Sequence, residues 1–283
     1  MNWNEFFTDH LTITPKVRLD DDCGVLTAAD AKFFIGAQIL YTSIVKPHRN
    51  VNFTLFDIGL TTEQQAWMER QPRARLVPFE PEKLLVPTKV ANWQKFNRPH
   101  FLSLSPYQRS VWIDCDMVVK ASLAPLFHHV KRQPFIVRND ICSPNNRRLH
   151  DYIPTKCTTE AFALSSCVFA WNSGRQLDLQ LIQEWAETTR FITTHPDNLV
   201  QYLSACDEAI LRVVVQKLDL VKYVWPDRHW NAMVYQRFHD IASALTNIRV
   251  RCPNDFILHY FGRPKIWESM KEDILDINPH ENT

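Results

Sequence analysis

The sequence predicts an α/β protein with a doubly wound, mostly parallel sheet flanked by helices. Three observations predict it. Short apolar segments alternate with helix-periodic ones through the first half of the chain, the pattern of successive βαβ units. Residues 111–113 are apolar on successive positions, as in a strand buried on both faces. The chain has 283 residues, 45% hydrophobic and 22% charged, enough for one large domain with a full core.

Each element has its own signal. Residues 24–29 form a short strand ending at Asp30, and residues 32–44 carry Phe33, Ala37, Leu40 and Ile44 at helical spacing. A second strand over 51–56 closes at Asp57-Ile58-Gly59. Thr62 is placed to cap a helix through Glu69, with Gln65 three residues on as in a capping box. Residues 75–79 are a short apolar piece, 78–87 a Pro-rich loop, and a short helix is expected from Pro99 to Leu104. The strand at 110–114 runs into Asp114-Cys115-Asp116 and then Met117-Val118-Val119. A later strand over 167–172 ends in Asn172-Ser173-Gly174, amphipathic helices follow at 177–190 and 204–218, and residues 257–262 end the core. No repeat, low-complexity tract or linker interrupts the chain, so one domain is expected over 1–283, with a solvated tail over 268–283.

Composition removes several function classes. Five Gly, with neither GxGxxG nor GxxxxGK[ST], leave no glycine-rich phosphate cradle. A net charge of +1 gives no general attraction to nucleic acid. Nine Trp are compatible with a sugar pocket, but any one of them is more often a core residue. Seven Cys, an odd number without CxxC spacing, suit free thiols in a reducing compartment. The first ten residues lack a signal peptide's basic start and apolar run. No apolar stretch reaches the roughly 20 residues that span a bilayer. A cytoplasmic protein is expected, with peripheral membrane contact left open.

Three groups of residues could carry chemistry. On an extended strand Asp114 and Asp116 project to the same side. Their hard oxygens suit Mg²⁺ or Mn²⁺ together, or one binds metal while the other holds a sugar. The plain alternative is a cap or turn, and placement after a buried strand, at the ligand-binding edge of an α/β sheet, favours a site. His259 follows a short strand and would complete a mixed oxygen and nitrogen shell suited to Mn²⁺. An isolated histidine is more often simply packed or exposed. Asp207 and Glu208 open a helix, where Ser204 and Asp207 three residues later read as a capping box. Capping explains the acid adequately; the competing role is contact with a reacting sugar.

These motifs occur in the order found in GT-A glycosyltransferases, and the sequence most closely resembles family 8 of those enzymes, over about residues 25–267. Thr27-Ala28-Ala29-Asp30 with Phe33 resembles the family's first strand, which implies Ala28, Asp30 and Phe33 at the nucleotide. Phe56-Asp-Ile-Gly-Leu60 resembles its second strand and helix start. Trp112-Ile-Asp114-Cys-Asp116 resembles the strand bearing its DxD motif. Asn172-Ser173-Gly174 matches its Asn-Ser/Ala-Gly signature, implying Asn172 at the donor, and Asp207-Glu208 matches its helix start. His259-Tyr-Phe-Gly262-Arg-Pro-Lys265-Ile-Trp267 resembles its HxxGxxKPW ending. By resemblance Asp114, Asp116 and His259 are metal ligands, with Gly262 and Lys265 at the diphosphate. The family's basic residue upstream of the DxD strand falls on Arg98, with Lys95 as the alternative. Phe33 stands where Tyr is common, Lys32 where a polar uncharged residue is, and Ile266 in place of the motif's Pro.

The resemblance implies a single GT-A domain, with a nucleotide-binding half over about 24–120 and an acceptor or catalytic half over about 121–267. It implies transfer of a sugar from a nucleotide diphosphate donor, UDP being the expected nucleotide, with Mn²⁺ or Mg²⁺ stabilising the leaving phosphates. The acceptor is a hydroxyl of a glycan, lipid-linked or protein substrate, and no nucleic acid is involved. Family 8 enzymes retain anomeric configuration; Glu208 would act as nucleophile or steady the sugar during same-face attack. Two alternatives compete. A sugar-nucleotide pyrophosphorylase would carry a Gly-rich basic loop after the first strand, and Ala29-Asp-Ala-Lys-Phe33 is not one. A non-catalytic sugar-binding relative would have lost metal ligands that are all present here.

Overall fold

A computed structural model describes residues 22–45, 48, 50–78, 80–119, 122–139, 149, 152–153, 164–203, 207–224, 232–233 and 257–259. In chain order these form β1 (Cys23–Ala29), α1 (Phe34–Val45), β2 (Asn52–Asp57), α2 (Thr62–Glu69), β3 (Ala74–Val77), α3 (Trp93–Phe96), α4 (Arg98–Ser103), β4 (Arg109–Ile113) and β5 (Met117–Val119). They continue with α5 (Ala124–Arg132), β6 (Ile136–Asn139), β7 (Leu164–Asn172), α6 (Gln176–Thr194), α7 (Glu208–Lys217), β8 (Ala232–Met233) and β9 (Ile257–His259). The expected tail over 268–283 lies outside the described residues.

The central sheet has six strands in the order β3-β2-β1-β4-β7-β6. β3, β2, β1 and β4 are mutually parallel, β7 is antiparallel to β4, and β6 is antiparallel to β7. Five strands therefore share one direction and β7 alone runs against them. Both faces are covered, and every residue of β4 is buried. On one face Val25, Phe53, Val111 and Ile113 pack with Ala37 and Leu40 of α1 and Phe127 of α5. On the other, Leu26, Phe56, Trp112 and Phe169 pack with Phe101 of α4, Trp185 of α6 and Ile210 of α7. Neighbours such as Val25 and Leu26 fall in opposite layers because strand side chains alternate. At the start of β1 the Tyr107 ring lies against Gly24, where a Cβ would come within 2.1 Å of ring carbons. The Tyr107 hydroxyl is held by Thr54 Oγ1 at 2.7 Å.

Local chemistry corrects two expectations. The cap of α2 is Thr61, not Thr62: its hydroxyl accepts from Gln64 N and Gln64 returns a bond to the Thr61 amide. The box is shifted by one residue, which releases Gln65 to donate to Asp57 Oδ2 at 2.6 Å. The DxD segment is not extended, because β4 ends at Ile113 and Cys115-Asp116 form a turn before β5. Strand alternation therefore does not orient the two acids. A small second sheet, β5-β9-β8, is built on that turn, with β9 antiparallel to β5.

His48 ties α1 to α5. Its Nδ1–H donates to Ile44 O at 2.9 Å, and Nε2 accepts from Leu123 N at 2.8 Å. Only the neutral ring does both, and burial holds its pKa below the usual 6.5. A histidine whose folded pKa is depressed contributes stability above its unfolded pKa, lost as pH falls through the folded value. Urea titrations should therefore show the wild type losing stability faster than His48→Gln as pH drops below about 6.5. Parallel pH profiles for the two proteins would rule this out.

Candidate active site

The carboxyl ends of β1, β2 and β4 share one edge of the sheet, where open α/β sheets bind ligands. At the end of β1 Ala28 is followed by Ala29 and Asp30, and Asp30 Oδ1 accepts from the amides of Lys32 and Phe33, both at 3.0 Å. Phe33 is half-buried and packs on the core. At the end of β2 Asp57 Oδ1 accepts from Gly59 N at 2.9 Å and Leu60 N at 2.7 Å. Gly59 has φ 129°, the left-handed region that favours glycine. Ala31 N donates to Gly59 O at 3.0 Å, joining the two loops. The acids at both strand ends thus organise the backbone of this edge.

The end of β4 meets a buried cation. Arg98 opens α4 and is 5% exposed. Its Nη2 donates to Asp114 Oδ1 at 2.9 Å and Oδ2 at 3.1 Å, and its Nη1 lies 3.0 Å from Asp207 Oδ2. Burial opposes the guanidinium charge, but Asp114 and Asp207 outweigh it and hold the pKa above its ordinary value. Asn97 fixes the start of α4: its Oδ1 accepts from Leu85 N and Val86 N, and its Nδ2 donates to Val86 O and Trp93 O. Lys95 is exposed. Of the two basic residues expected at this position, Arg98 is the one joined to the carboxylates.

Asp114 has a second anchor. Trp112 Nε1 donates to Asp114 Oδ1 at 2.6 Å. The indole stacks on Phe101 at 6.1 Å and Phe56 at 6.5 Å, with the Arg98 guanidinium 5.6 Å from its centroid. Asp116, half-buried in the adjoining turn, lies one residue before Met117, which pairs in register with His259 across β5 and β9. The backbone of His259 therefore lies beside the DxD turn. Gly262 and Lys265 lie outside the described residues.

Asp207 stands at the N-terminus of α7 without a side-chain cap bond among the described residues, and Ser204 lies outside them. The expected Ser204–Asp207 box therefore falls outside the described residues, and among those described Asp207 pairs with Arg98. The Asp207 carboxyl is 2% exposed, and burial pushes it up to about 6 despite the neighbouring guanidinium. Glu208, one residue on, accepts from Ser166 N through Oε1 at 3.1 Å. Ser166 and Cys167 were not singled out in the sequence. Yet Asp114 N donates to Cys167 O at 3.0 Å, Ser166 Oγ donates to both oxygens of Asp207 at 3.4 and 3.3 Å, and Arg98 Nη1 donates to Ser166 Oγ. Burial, then Asp114 and Glu208, raise the Cys167 pKa well above the ordinary thiol range, so it stays protonated.

Asn172 does not join this cluster. Because β7 runs antiparallel, Asn172 pairs with Arg109 at the opposite end of β4, while Val168 pairs with Ile113. Its side chain donates to Val130 O at 3.1 Å and accepts from Gly174 N at 2.9 Å, closing a turn. The expectation of Asn172 at the donor is corrected on this ground.

Carboxylate oxygens are the donor type that hard divalent cations take. Three carboxylates, Asp114, Asp207 and Glu208, surround a single guanidinium, and Asp116 adds another beside them, leaving a surplus of negative charge and oxygen donors. Among the described residues, no group of three or more His, Cys, Asp or Glu side chains is placed to hold a metal ion, and the His259 side chain is not among those described. No helix among the described residues is long and apolar enough to cross a membrane.

Replacing Arg98 alone leaves Asp207 buried without its countercharge. Arg98→Met should cost about 3–5 kcal/mol in urea denaturation, and Arg98→Met/Asp207→Asn should recover most of it. A single-variant loss under about 1 kcal/mol would show that the pair is not what holds α4 against α7.

No family model matches the sequence, and no curated protein matches it. Solved structures match the fold. The apo WbbM bifunctional glycosyltransferase superposes with a TM-score of 0.60 at 16% identity, covering 91% of this chain and 50% of that one. The galactosyltransferase LgtC, in complex with donor and acceptor sugar analogues, gives 0.54 at 16%, covering 89% and 92%. Mouse xyloside xylosyltransferase 1 in its apo form gives 0.54 at 11%, covering 86% and 98%. This chain spans half the length of WbbM and most of the other two. The likeness is one of fold, and the protein has the GT-A glycosyltransferase fold.

Proposed function

We propose that this protein is a metal-dependent glycosyltransferase that moves a sugar from a nucleotide diphosphate donor, with UDP as the nucleotide, to a hydroxyl acceptor, retaining anomeric configuration. The observation that carries it is the cluster of Arg98, Asp114, Asp207 and Glu208 at the carboxyl edge of a GT-A sheet. Asp114, Asp116 and His259 would hold Mn²⁺ or Mg²⁺. The metal when bound supplies Lewis-acid stabilisation of the leaving diphosphate. Ala28, Asp30 and Phe33 would seat the nucleotide, and Gly262 and Lys265 would close on the phosphates. Arg98 acts mainly by orienting Asp114 and Asp207, since its Nη groups are committed to them. Glu208 would face the sugar, as nucleophile or as a steadying charge. The acceptor is a glycan, a lipid-linked sugar or a protein, in a cytoplasmic setting without nucleic acid.

Hydrolysis of UDP- and GDP-sugars with Mn²⁺ tests the activity directly. Release of UDP from at least one UDP-sugar is expected, lost with chelator and restored by added Mn²⁺. Asp116→Asn should abolish turnover with an unchanged circular dichroism spectrum, because an acid in an edge turn contributes little to the core. Turnover that survives both chelator and Asp116→Asn would remove the metal.

Glu208 has a clean substitution, because Gln keeps the oxygen that accepts from Ser166 N and removes only the charge. Glu208→Gln should slow turnover about tenfold or more, ~1.4 kcal/mol in the barrier. Unchanged turnover would leave Glu208 with only its bond to β7.

A further inference from the structure

Residues 166–167 of β7 touch Arg98, Asp207 and Glu208 and bond the backbone of Asp114. The Ser166 amide donates to Glu208 Oε1 at 3.1 Å, and the Cys167 carbonyl accepts from Asp114 N at 3.0 Å. The Ser166 hydroxyl, wholly buried, accepts from Arg98 Nη1 and donates to Asp207 at 3.3–3.4 Å. A hydroxyl has one proton to give and two lone pairs to share, so a cation on one side and a carboxylate on the other orient it uniquely. Arg98 and Asp207 also touch directly at 3.0 Å, so the hydroxyl closes a triangle and leaves the pair little freedom to slide.

We propose that Ser166 is a positioning residue for sugar transfer: its hydroxyl locks Arg98 against Asp207, and its amide sets Glu208, so that the acids at the start of α7 face the DxD edge in one geometry. This rests on the glycosyltransferase function proposed above. Misplacing a reacting group by about 1 Å can cost roughly a hundredfold in rate, so a hydroxyl that restrains Arg98 and Asp207 together has leverage on the chemical step. The hydroxyl is wholly buried and committed to Arg98 and Asp207, so donor binding should be insensitive to it. The same triangle gives the acid at the N-terminus of α7 a buried partner.

Thr and Val are nearly isosteric and differ here by the hydroxyl alone, so Ser166→Thr against Ser166→Val cancels any crowding by the added methyl group. Ser166→Ala supplies the same comparison without that group. The readout is kcat and KM for the UDP-sugar that the wild type hydrolyses fastest with Mn²⁺, together with the urea midpoint. The expected result is kcat at least tenfold lower for Val than for Thr and for Ala than for wild type, with KM within about twofold throughout. Equal kcat for Thr and Val and for Ala and wild type would overturn the role. So would a raised KM with kcat unchanged, the mark of ground-state binding. If Thr and Val do not fold, Ala against wild type decides alone. A wild type that hydrolyses no nucleotide sugar would overturn the proposed function itself, and Ser166's role in it, an outcome distinct from an active wild type with an indifferent Ser166.

Discussion

A guanidinium buried between α4, β4, β7 and α7 is the constraint on which this site depends. Taking Arg98 out of water is costly, and it is tolerated only because Asp114 and Asp207 lie within hydrogen-bond reach on two sides. Neither acid can withdraw without leaving a buried charge uncompensated. The end of β4 and the start of α7 are therefore held at fixed separation through one side chain. Asn97 extends the constraint backwards, satisfying four backbone groups of the loop before α4 and so fixing where Arg98 starts. Trp112 extends it sideways, with its indole N–H on Asp114 and its face stacked on Phe101.

The reversed direction of β7 does the rest. Because it runs against β4, the middle of β7 and not its end arrives at the DxD edge, and Ser166 and Cys167 supply an amide, a hydroxyl and a carbonyl to Glu208, Asp207 and Asp114. A parallel strand there would have delivered Asn172 instead. Carboxylates outnumber the guanidinium at this edge, and the same contacts that pair the charges hold the acids in place.

Much of this was legible in the sequence, and the failures share a cause. Residues 110–113 read as a strand buried on both faces, and they are one. The alternation of strands and helices around residues 24–77 is present to within a residue or two. Thr61 and Thr62 are adjacent hydroxyls, each with a Gln three residues on, so pattern could not separate them; the packing of Gln65 on Asp57 did. Asp207 follows Ser204 at capping-box spacing, and local statistics favoured a cap. Its ion-pair partner, Arg98, is 109 positions away in the chain, beyond any local pattern. Ser166 had no signal at all, since a serine within an apolar strand looks like any other.

By itself the sequence determined the periodicities, the apolar content of each strand, the DxD acids and the candidate cation, because these follow from residue type and short-range spacing. Tertiary structure decided the direction of β7, the partner of each buried charge, and the register that sets His259 beside Met117. Strand direction and ion pairing are relations between segments far apart in the chain. They follow from how two layers of side chains pack across a sheet and from the requirement that a buried charge meet its opposite, and neither leaves a mark on neighbouring residues.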